Sequence, residues 1–236
     1  MARRLPSYFP QRVNMRVPAM RGVGQMVGLG TDIIAAELGA PVALNLAGIL
    51  AAISSAATPT FPKTAFAATY LETNAVMGIW GRNVSVTASV ATGGTSLVAN
   101  IVGRDYLGQK MVEAVTVANG DGTTPVQGKK AFKYVDSIVV ATSPAAAGNI
   151  TVGFGNVLGL PYKFMQIVTE MKNGIVAANA GTFVAGLATG TAATAANADV
   201  RGTYLPLTVI PDGVTTFALR YVADNSNGHG NAQFGG

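Results

Sequence analysis

Short apolar runs separated by glycine turns organise this chain, and they are densest between Asn83 and Tyr162. Within that stretch, positions 84–90 carry Val or Ala at every even number and Ser or Thr at every odd one. A period of two predicts a strand with one buried and one exposed face, so we expect a half-buried strand here. Because such runs recur with turns between them, we interpret Asn83–Tyr162 as an antiparallel β-sheet core.

Similar patterns predict further strands along the chain. They are Ser96–Val102, Gln109–Val117, Ile138–Thr142, Ile150–Phe154 and Thr182–Ala185. The segment Phe164–Lys172 fits either a strand or a short helix, and Asn173-Gly174 turns the chain after it. The one tryptophan, Trp80, is expected to anchor the core with its indole N–H bonded to the backbone.

Two segments carry signals for hairpins. The stronger is Asn119-Gly120-Asp121-Gly122, because Asn-Gly and Asp-Gly favour positive φ. A calcium loop would need several carboxylates at fixed spacing, and this segment has one, so we set that alternative aside. A second hairpin is predicted from Val200–Leu205 and Thr215–Val222, joined around Pro211-Asp212-Gly213.

These features predict an all-β protein: a β-sandwich, jelly-roll-like, with an extended N-terminal arm and little helix. We expect a basic arm over 1–31 and an Ala-rich apolar segment over 32–62, which packs on the core or on a neighbour. The β-sandwich core then covers 63–222, and a flexible Gly-rich tail covers 223–236.

The most apolar stretch, 32–57, leaves its local structure open. A short strand around Pro41–Ala47 and a small-residue helix or extended strip around Leu46–Ala57 are both compatible with it. Its length suits a membrane-spanning helix, but an acid, a proline and an asparagine interrupt it. We therefore expect no membrane contact.

The chain is poor in charge, and this changes the expected surface. Charged residues make up 11% of the sequence, against about 25% in an ordinary soluble domain. A lone monomer would therefore expose much weakly polar Ala, Gly, Thr and Val. We expect this surface to be buried against copies of the chain or against a larger assembly.

The net charge of +5 comes entirely from the N-terminal arm. The first 31 residues contain no Asp or Glu, while the remaining 11 basic residues (16 minus 5) balance the 11 acidic ones. Such an arm suits an acidic partner surface or, as the alternative, a solvated segment. The candidate partner-contact residues are Arg3, Arg4, Arg12, Arg16 and Arg21.

Catalytic and metal-binding chemistry finds little support in the sequence. There is no cysteine, and the one histidine, His229, lies between glycines in the tail, where a base could not be held in place. The glycines of 22–30 lack the Gly-Lys-Ser/Thr that completes a phosphate loop. We expect no enzyme activity, no metal, no cofactor and no small-molecule substrate, and the absence of a basic patch with interleaved aromatics argues against nucleic-acid contact.

The carboxylates do not form the pairs that acid–base catalysis needs. Four of them stand singly in the sequence, at Asp105, Glu113, Asp136 and Glu170. We expect each to form an isolated salt bridge or to cap a turn, rather than to converge on a substrate.

Four segments together resemble a group of tailed-bacteriophage virion proteins. They are Gly81–Val84, Gly103–Gln109, Gly128–Asp136 and Gly155–Tyr162. Among such proteins the chain is most similar to capsid cement (decoration) proteins, over roughly residues 80–222. The resemblance implies a β-rich structural subunit, present as a homodimer or homotrimer, that clamps neighbouring capsomers of the phage head by binding the major capsid protein.

This resemblance also implies a location. The chain would be made in the host cytoplasm, consistent with an N-terminus that lacks the apolar run of a signal peptide, and would end on the capsid surface of the virion. The alternatives are a phage tail, neck or fibre-attachment protein and, further off, a non-viral β-sandwich binding module.

Overall fold

The computed structural model describes residues 31–55, 59–73, 75–88, 96–118, 124–142, 148–178, 180–186 and 199–224. These residues form fourteen strands, one short helix and two 3-10 turns. In chain order the strands are β1 (Thr31–Gly39), β2 (Asn45–Ser54), β3 (Thr60–Pro62), β4 (Arg82–Ala88), β5 (Leu97–Arg104), β6 (Lys110–Val117), β7 (Val126–Gln127), β8 (Tyr134–Thr142), β9 (Asn149–Gly159), β10 (Lys163–Lys172), β11 (Ile175–Val176), β12 (Thr182–Val184), β13 (Thr203–Leu205) and β14 (Phe217–Asp224). Helix α1 is Ala68–Thr73, and the 3-10 turns are Lys63–Ala65 and Ala75–Met77. The prediction of an all-β protein with little helix is therefore confirmed.

The strands form three antiparallel sheets. The first sheet has the order β1-β14-β10-β11, and the third has the order β3-β8-β5-β6. The second sheet has the order β12-β13-β9-β4-β7, with β2 also paired to β9. Few neighbours in these sheets are consecutive in sequence, so distant segments of the chain are joined by long-range pairing. The jelly-roll arrangement stays a prediction.

The three sheets enclose two hydrophobic cores. The first core lies between the second and third sheets and includes Val86, Ile101 and Phe132, none of which is accessible to solvent. The second core lies against the first sheet and includes Leu219 and Tyr221. Burial of each large apolar side chain stabilises the fold by about 1.5–3 kcal/mol, so the two cores account for the association of the sheets.

The Ala-rich segment 32–62 supplies a strand to each of the three sheets. Strand β1 pairs with β14, β2 pairs with β9, and β3 pairs with β8. Over Asn45–Ser54 the chain is therefore an extended strand rather than a helix, and the expected strand at Pro41–Ala47 begins only at Asn45. The predicted contact of Trp80 is also present, because its indole N–H donates to the Glu37 carbonyl at 2.8 Å. No helix in the described residues is long and apolar enough to span a membrane.

Strand β4 corrects the expectation of a half-buried strand. Six of its seven residues are buried, including the polar Asn83 and Ser85. The Asn83 amide donates to the Gly128 carbonyl at 3.1 Å and accepts from the Val157 N–H at 3.1 Å, so its polar atoms are satisfied without water. Hydrogen bonds satisfy Asn83 in this position, whereas the buried hydroxyl oxygens of Ser85 and Thr87 have no hydrogen-bond partner among the described residues. Alternation of polar and apolar residues therefore did not predict which face of β4 is exposed.

The second predicted hairpin is wrong. Strand β13 belongs to the second sheet, whereas β14 belongs to the first. The turn itself forms, because the Asp212 carboxylate accepts from the N–H groups of Val214 and Thr215 at 2.8 and 2.7 Å. It lies within a long connection between sheets, so the flanking strands have different partners.

The other turn signals give different results. The segment 119–122 lies outside the described residues, and β6 and β7 on its two sides belong to the third and second sheets. Strand β10 is a strand throughout, and Asn173 and Gly174 turn the chain into β11 with φ of 50° and 74°. This is the positive-φ pair that a tight hairpin needs.

Candidate functional site

The side chain of Asp105 organises the hairpin between β5 and β6. One carboxylate oxygen accepts from the N–H groups of Leu107 and Gln109 at 2.9 and 2.8 Å, and the other accepts from the Arg201 guanidinium at 2.9 Å. Both side chains of this ion pair are almost fully buried, at 1% and 3% exposure. The Arg201 guanidinium also lies 4.9 Å from the centre of the Tyr106 ring. Asp105 is thus a turn cap and a buried ion pair that ties the third sheet to the chain before β13.

Arg82 is fully buried in β4 and is held by carbonyl groups. Its guanidinium donates to the carbonyls of Gly155, Val42 and Val76, with distances of 2.8 and 3.1 Å for the last two. Burial lowers the pKa of Arg82 to about 10, so it remains charged at neutral pH. The Phe154 ring lies 4.9 Å from the guanidinium carbon. The contacts join the second sheet to the chain just before β2 and to the 3-10 turn Ala75–Met77, so Arg82 has a structural role.

Two more of the acids predicted to stand alone form contacts with basic residues. Asp136 and Arg104 form a two-pronged ion pair with both distances at 2.9 Å, on a partly exposed surface. Glu170 is buried and accepts from the Tyr204 hydroxyl and from Lys172, the latter at 3.2 Å. Burial, then the bond to Glu170, raise the pKa of Tyr204. The interpretation of these acids as local ion pairs agrees with the contacts.

Glu113 is different because backbone N–H groups hold its carboxylate. The Lys129 and Lys130 N–H groups donate to it at 2.5 and 3.1 Å, while the Lys130 ammonium donates to the Val112 carbonyl at 2.6 Å. Burial raises the pKa of Glu113 to about 7, although the two backbone bonds and the Lys130 charge act in the opposite direction. Burial also disfavours the charged form of Lys130 and so lowers the pKa of its ammonium group. The sequence identified Glu113 as a solitary acid, but it carried no signal for these backbone partners, which lie 16 and 17 positions away.

A cleft of about 360 Å³ lies beside Glu113. It is lined by two stretches of five consecutive residues, 112–116 from β6 and 126–130 from β7 and the chain after it. The Glu113 and Lys130 contacts described above close one part of it by joining the two stretches. The described residues contain no group of three or more His, Asp or Glu placed to hold a metal ion. Glu113 is the one carboxylate among the lining residues, and the nearby Asp199 adds to the rise of its pKa. No reaction is assigned to the cleft.

Exposed apolar residues gather on the connections at one end of the first sheet, which we call the loop patch. Its six members are Val42, Leu44, Leu207, Val209, Ile210 and Val214. The two connections that carry them are joined by a hydrogen bond from the Gly213 N–H to the Pro41 carbonyl at 2.9 Å. Lys172 fixes the same region by donating to the Leu207 carbonyl. The patch is therefore an apolar surface on loops held by hydrogen bonds. Four of its members, Leu207, Val209, Ile210 and Val214, lie close together in the sequence around the Pro211-Asp212-Gly213 turn, which is the local signal for the patch.

The sequence-predicted contact residues lie outside the described residues. They are Arg3, Arg4, Arg12, Arg16 and Arg21, and His229 lies outside them as well. The described chain begins at Thr31, which pairs with Asp224, and Asp224 in turn pairs with Lys163. The arm therefore joins the first sheet at one end, while Gly39, Lys172 and the loop patch lie at the other end.

Comparisons of the chain with protein-family models, with curated proteins and with solved structures find no match.

Proposed function

We propose that this protein is a structural subunit of a tailed-bacteriophage virion, a capsid cement protein that binds the major capsid protein and clamps neighbouring capsomers. The observation that carries the proposal is the loop patch. Apolar side chains such as Val214, with 79% of its surface exposed, are grouped there on hydrogen-bonded loops. Grouped exposed apolar residues are a feature of surfaces that bind other proteins.

The positions of the loop patch and of the arm suit a clamp. The arm enters the fold at Thr31 and the patch lies beyond Phe217, at opposite ends of β14 and its neighbours. Eight residues of strand at about 3.3 Å each separate these ends by about 25 Å. Two attachments this far apart can contact two different neighbours. Because many copies repeat the contacts on a symmetric shell, individually weak contacts combine into firm attachment.

In this role the five arginines of the arm bind acidic groups on the capsid. An extended segment buries a large area per residue when it docks, and Arg forms two-pronged bonds with carboxylates. The protein acts on the capsid surface of the virion after its synthesis in the host cytoplasm. Neither a membrane nor nucleic acid takes part in this attachment.

Binding to capsids that lack this protein tests the proposal. Deletion of residues 1–30 and the double substitution Ile210→Lys/Val214→Lys should each weaken binding at least tenfold, because one removes the cationic arm and the other charges the loop patch. Leu107→Lys is the matched control, since Leu107 is also exposed (42%) but lies in the hairpin turn of the third sheet. Sedimentation with capsids measures the bound fraction.

Electron microscopy of decorated particles then locates the protein. Density over the joints between capsomers supports a cement role. Density at the tail, neck or fibre attachment would indicate another virion function in place of the cement role. In the sedimentation assay, unchanged capsid binding by both variants would overturn the proposed attachment.

A further inference from the structure

The first sheet has one face in the second core and one face open to solvent. In β14 the residues Phe217, Leu219, Tyr221 and Ala223 are buried, and the alternate residues point the other way. In β1 Ala36 and Leu38 are buried, while Ile33, Ala35 and Glu37 are exposed. We call the open side the outer face of the first sheet.

Apolar side chains occupy much of this outer face. Ile33, Met165 and Val168 each expose slightly more than half of their surface. Met165 and Val168 lie at the two positions where the pairing of β10 with β14 shifts register. Such bulges redirect side chains, and here both add an exposed apolar residue to the sheet. These exposed apolar residues form a surface distinct from the loop patch.

Two opposite charges lie among these apolar residues. Glu37 pairs in register with Ala218, and Arg220 pairs with Ala35, so the two charged residues are diagonal neighbours on β1 and β14. Both are exposed, and neither forms an ion pair within 4 Å among the described residues. The outer face therefore has one acid and one base available for a partner.

We propose that the outer face of the first sheet binds the same face of a second copy of this chain across a two-fold axis. The two-fold axis lies above the midpoint between Glu37 and Arg220. It runs parallel to the sheet and at right angles to the line that joins the two residues. Rotation about this axis places Glu37 of each copy over Arg220 of the other. A two-fold interface is self-complementary in this way, because each contact between two residues occurs twice, once with each copy supplying the acid. The apolar residues around the two charges then pack sheet against sheet.

Charge distinguishes a second copy from the arm as the occupant. Residues 1–31 contain five arginines and no acid, so the arm would meet Glu37 favourably but would be repelled by Arg220. A second copy satisfies both charges. This inference rests on the proposed structural role, in which copies of the chain pack together, and it names the surface and the symmetry of that packing.

Charge reversal provides the test, with oligomer size measured by analytical ultracentrifugation of the full chain. The unchanged protein should be a dimer. Glu37→Arg and Arg220→Glu should each raise the dissociation constant about a hundredfold or more, because each places two pairs of like charges across the axis. An equimolar mixture of the two variants should form dimers again, since every contact across a mixed interface is then between opposite charges. Leu107→Lys, on another sheet, should leave the dimer unchanged.

The mixture is decisive, because two misfolded variants could not restore each other. A monomeric unchanged protein, a trimer, or a mixture that stays monomeric overturns the inference. Capsid binding is a separate readout. If the protein is a dimer that does not bind capsids, the proposed function is wrong and the two-fold contact stands. If it is a monomer that binds capsids, the two-fold contact is wrong and the proposed function stands.

Discussion

The buried carboxylate of Glu113 predicts how the stability of the fold depends on pH. Its side chain is 6% exposed, and burial raises its pKa from 4.5 to about 7. Between these two values the native protein holds a proton on Glu113 that the unfolded chain releases. The free energy of unfolding therefore falls as pH rises through this interval, and the contribution is complete below pH 4.5 and lost above about pH 7.

The size of this effect follows from the pKa difference. Each tenfold change in proton affinity is worth about 1.4 kcal/mol, so a rise from 4.5 to about 7 corresponds to at most about 3 kcal/mol. Glu113→Gln cannot titrate, and its stability should lack this decline. The variant also loses an acceptor for one of the two backbone N–H groups, which lowers its stability by about 1–3 kcal/mol at every pH. The slope with pH, rather than the absolute stability, is therefore the quantity that reports on Glu113.

Urea unfolding of both proteins at intervals between pH 4.5 and 8 measures the slope. The unfolding free energy of the unchanged protein minus that of the variant should fall by up to about 3 kcal/mol from the lower to the higher pH, to zero or below. Asp136→Asn is the control, because it removes a carboxylate from the exposed pair with Arg104 and should keep the decline of the unchanged protein.

One result would refute this reasoning. If the difference between the unchanged protein and Glu113→Gln stayed constant or grew as pH rose, Glu113 would be ionised throughout the interval. The N–H groups of Lys129 and Lys130, with the Lys130 charge, would then outweigh the cost of burial.

Further predictions concern the close contacts within the fold, each measured by denaturant unfolding. Gly153→Ala should destabilise the protein by about 2–3 kcal/mol or prevent folding, because a Cβ there would lie 1.9 Å from the Asn45 carbonyl oxygen where β2 crosses β9. Asp105→Asn should cost about 3–5 kcal/mol, since it leaves the buried Arg201 charge without its partner. The same change at the exposed Asp136 should cost less than about 1 kcal/mol, and equal losses at the two sites would contradict the role of burial.

The strands of this protein could be predicted from sequence more readily than their partners. Runs such as Leu97–Arg104 and Lys110–Val117 alternate in burial along nearly their whole length, and their pattern depends only on neighbouring residues. Pairing depends on contacts between distant residues. The Pro211-Asp212-Gly213 turn illustrates the difference, because its local hydrogen bonds form as expected while β13 and β14 join separate sheets.

Features of the candidate surfaces that join residues distant along the chain had no signal in the sequence. Asp105 could be recognised as a turn residue, but its buried partner Arg201 lies 96 positions away. The outer face of the first sheet depends on β1 and β14, from opposite ends of the described chain, lying side by side in register. Only that pairing brings Glu37 and Arg220 close to each other, so no local segment of the sequence carries a signal for the proposed two-fold contact. Low overall charge predicted that some surface would be buried in an assembly, and the pairing of β1 with β14 supplies the surface on which we propose that contact.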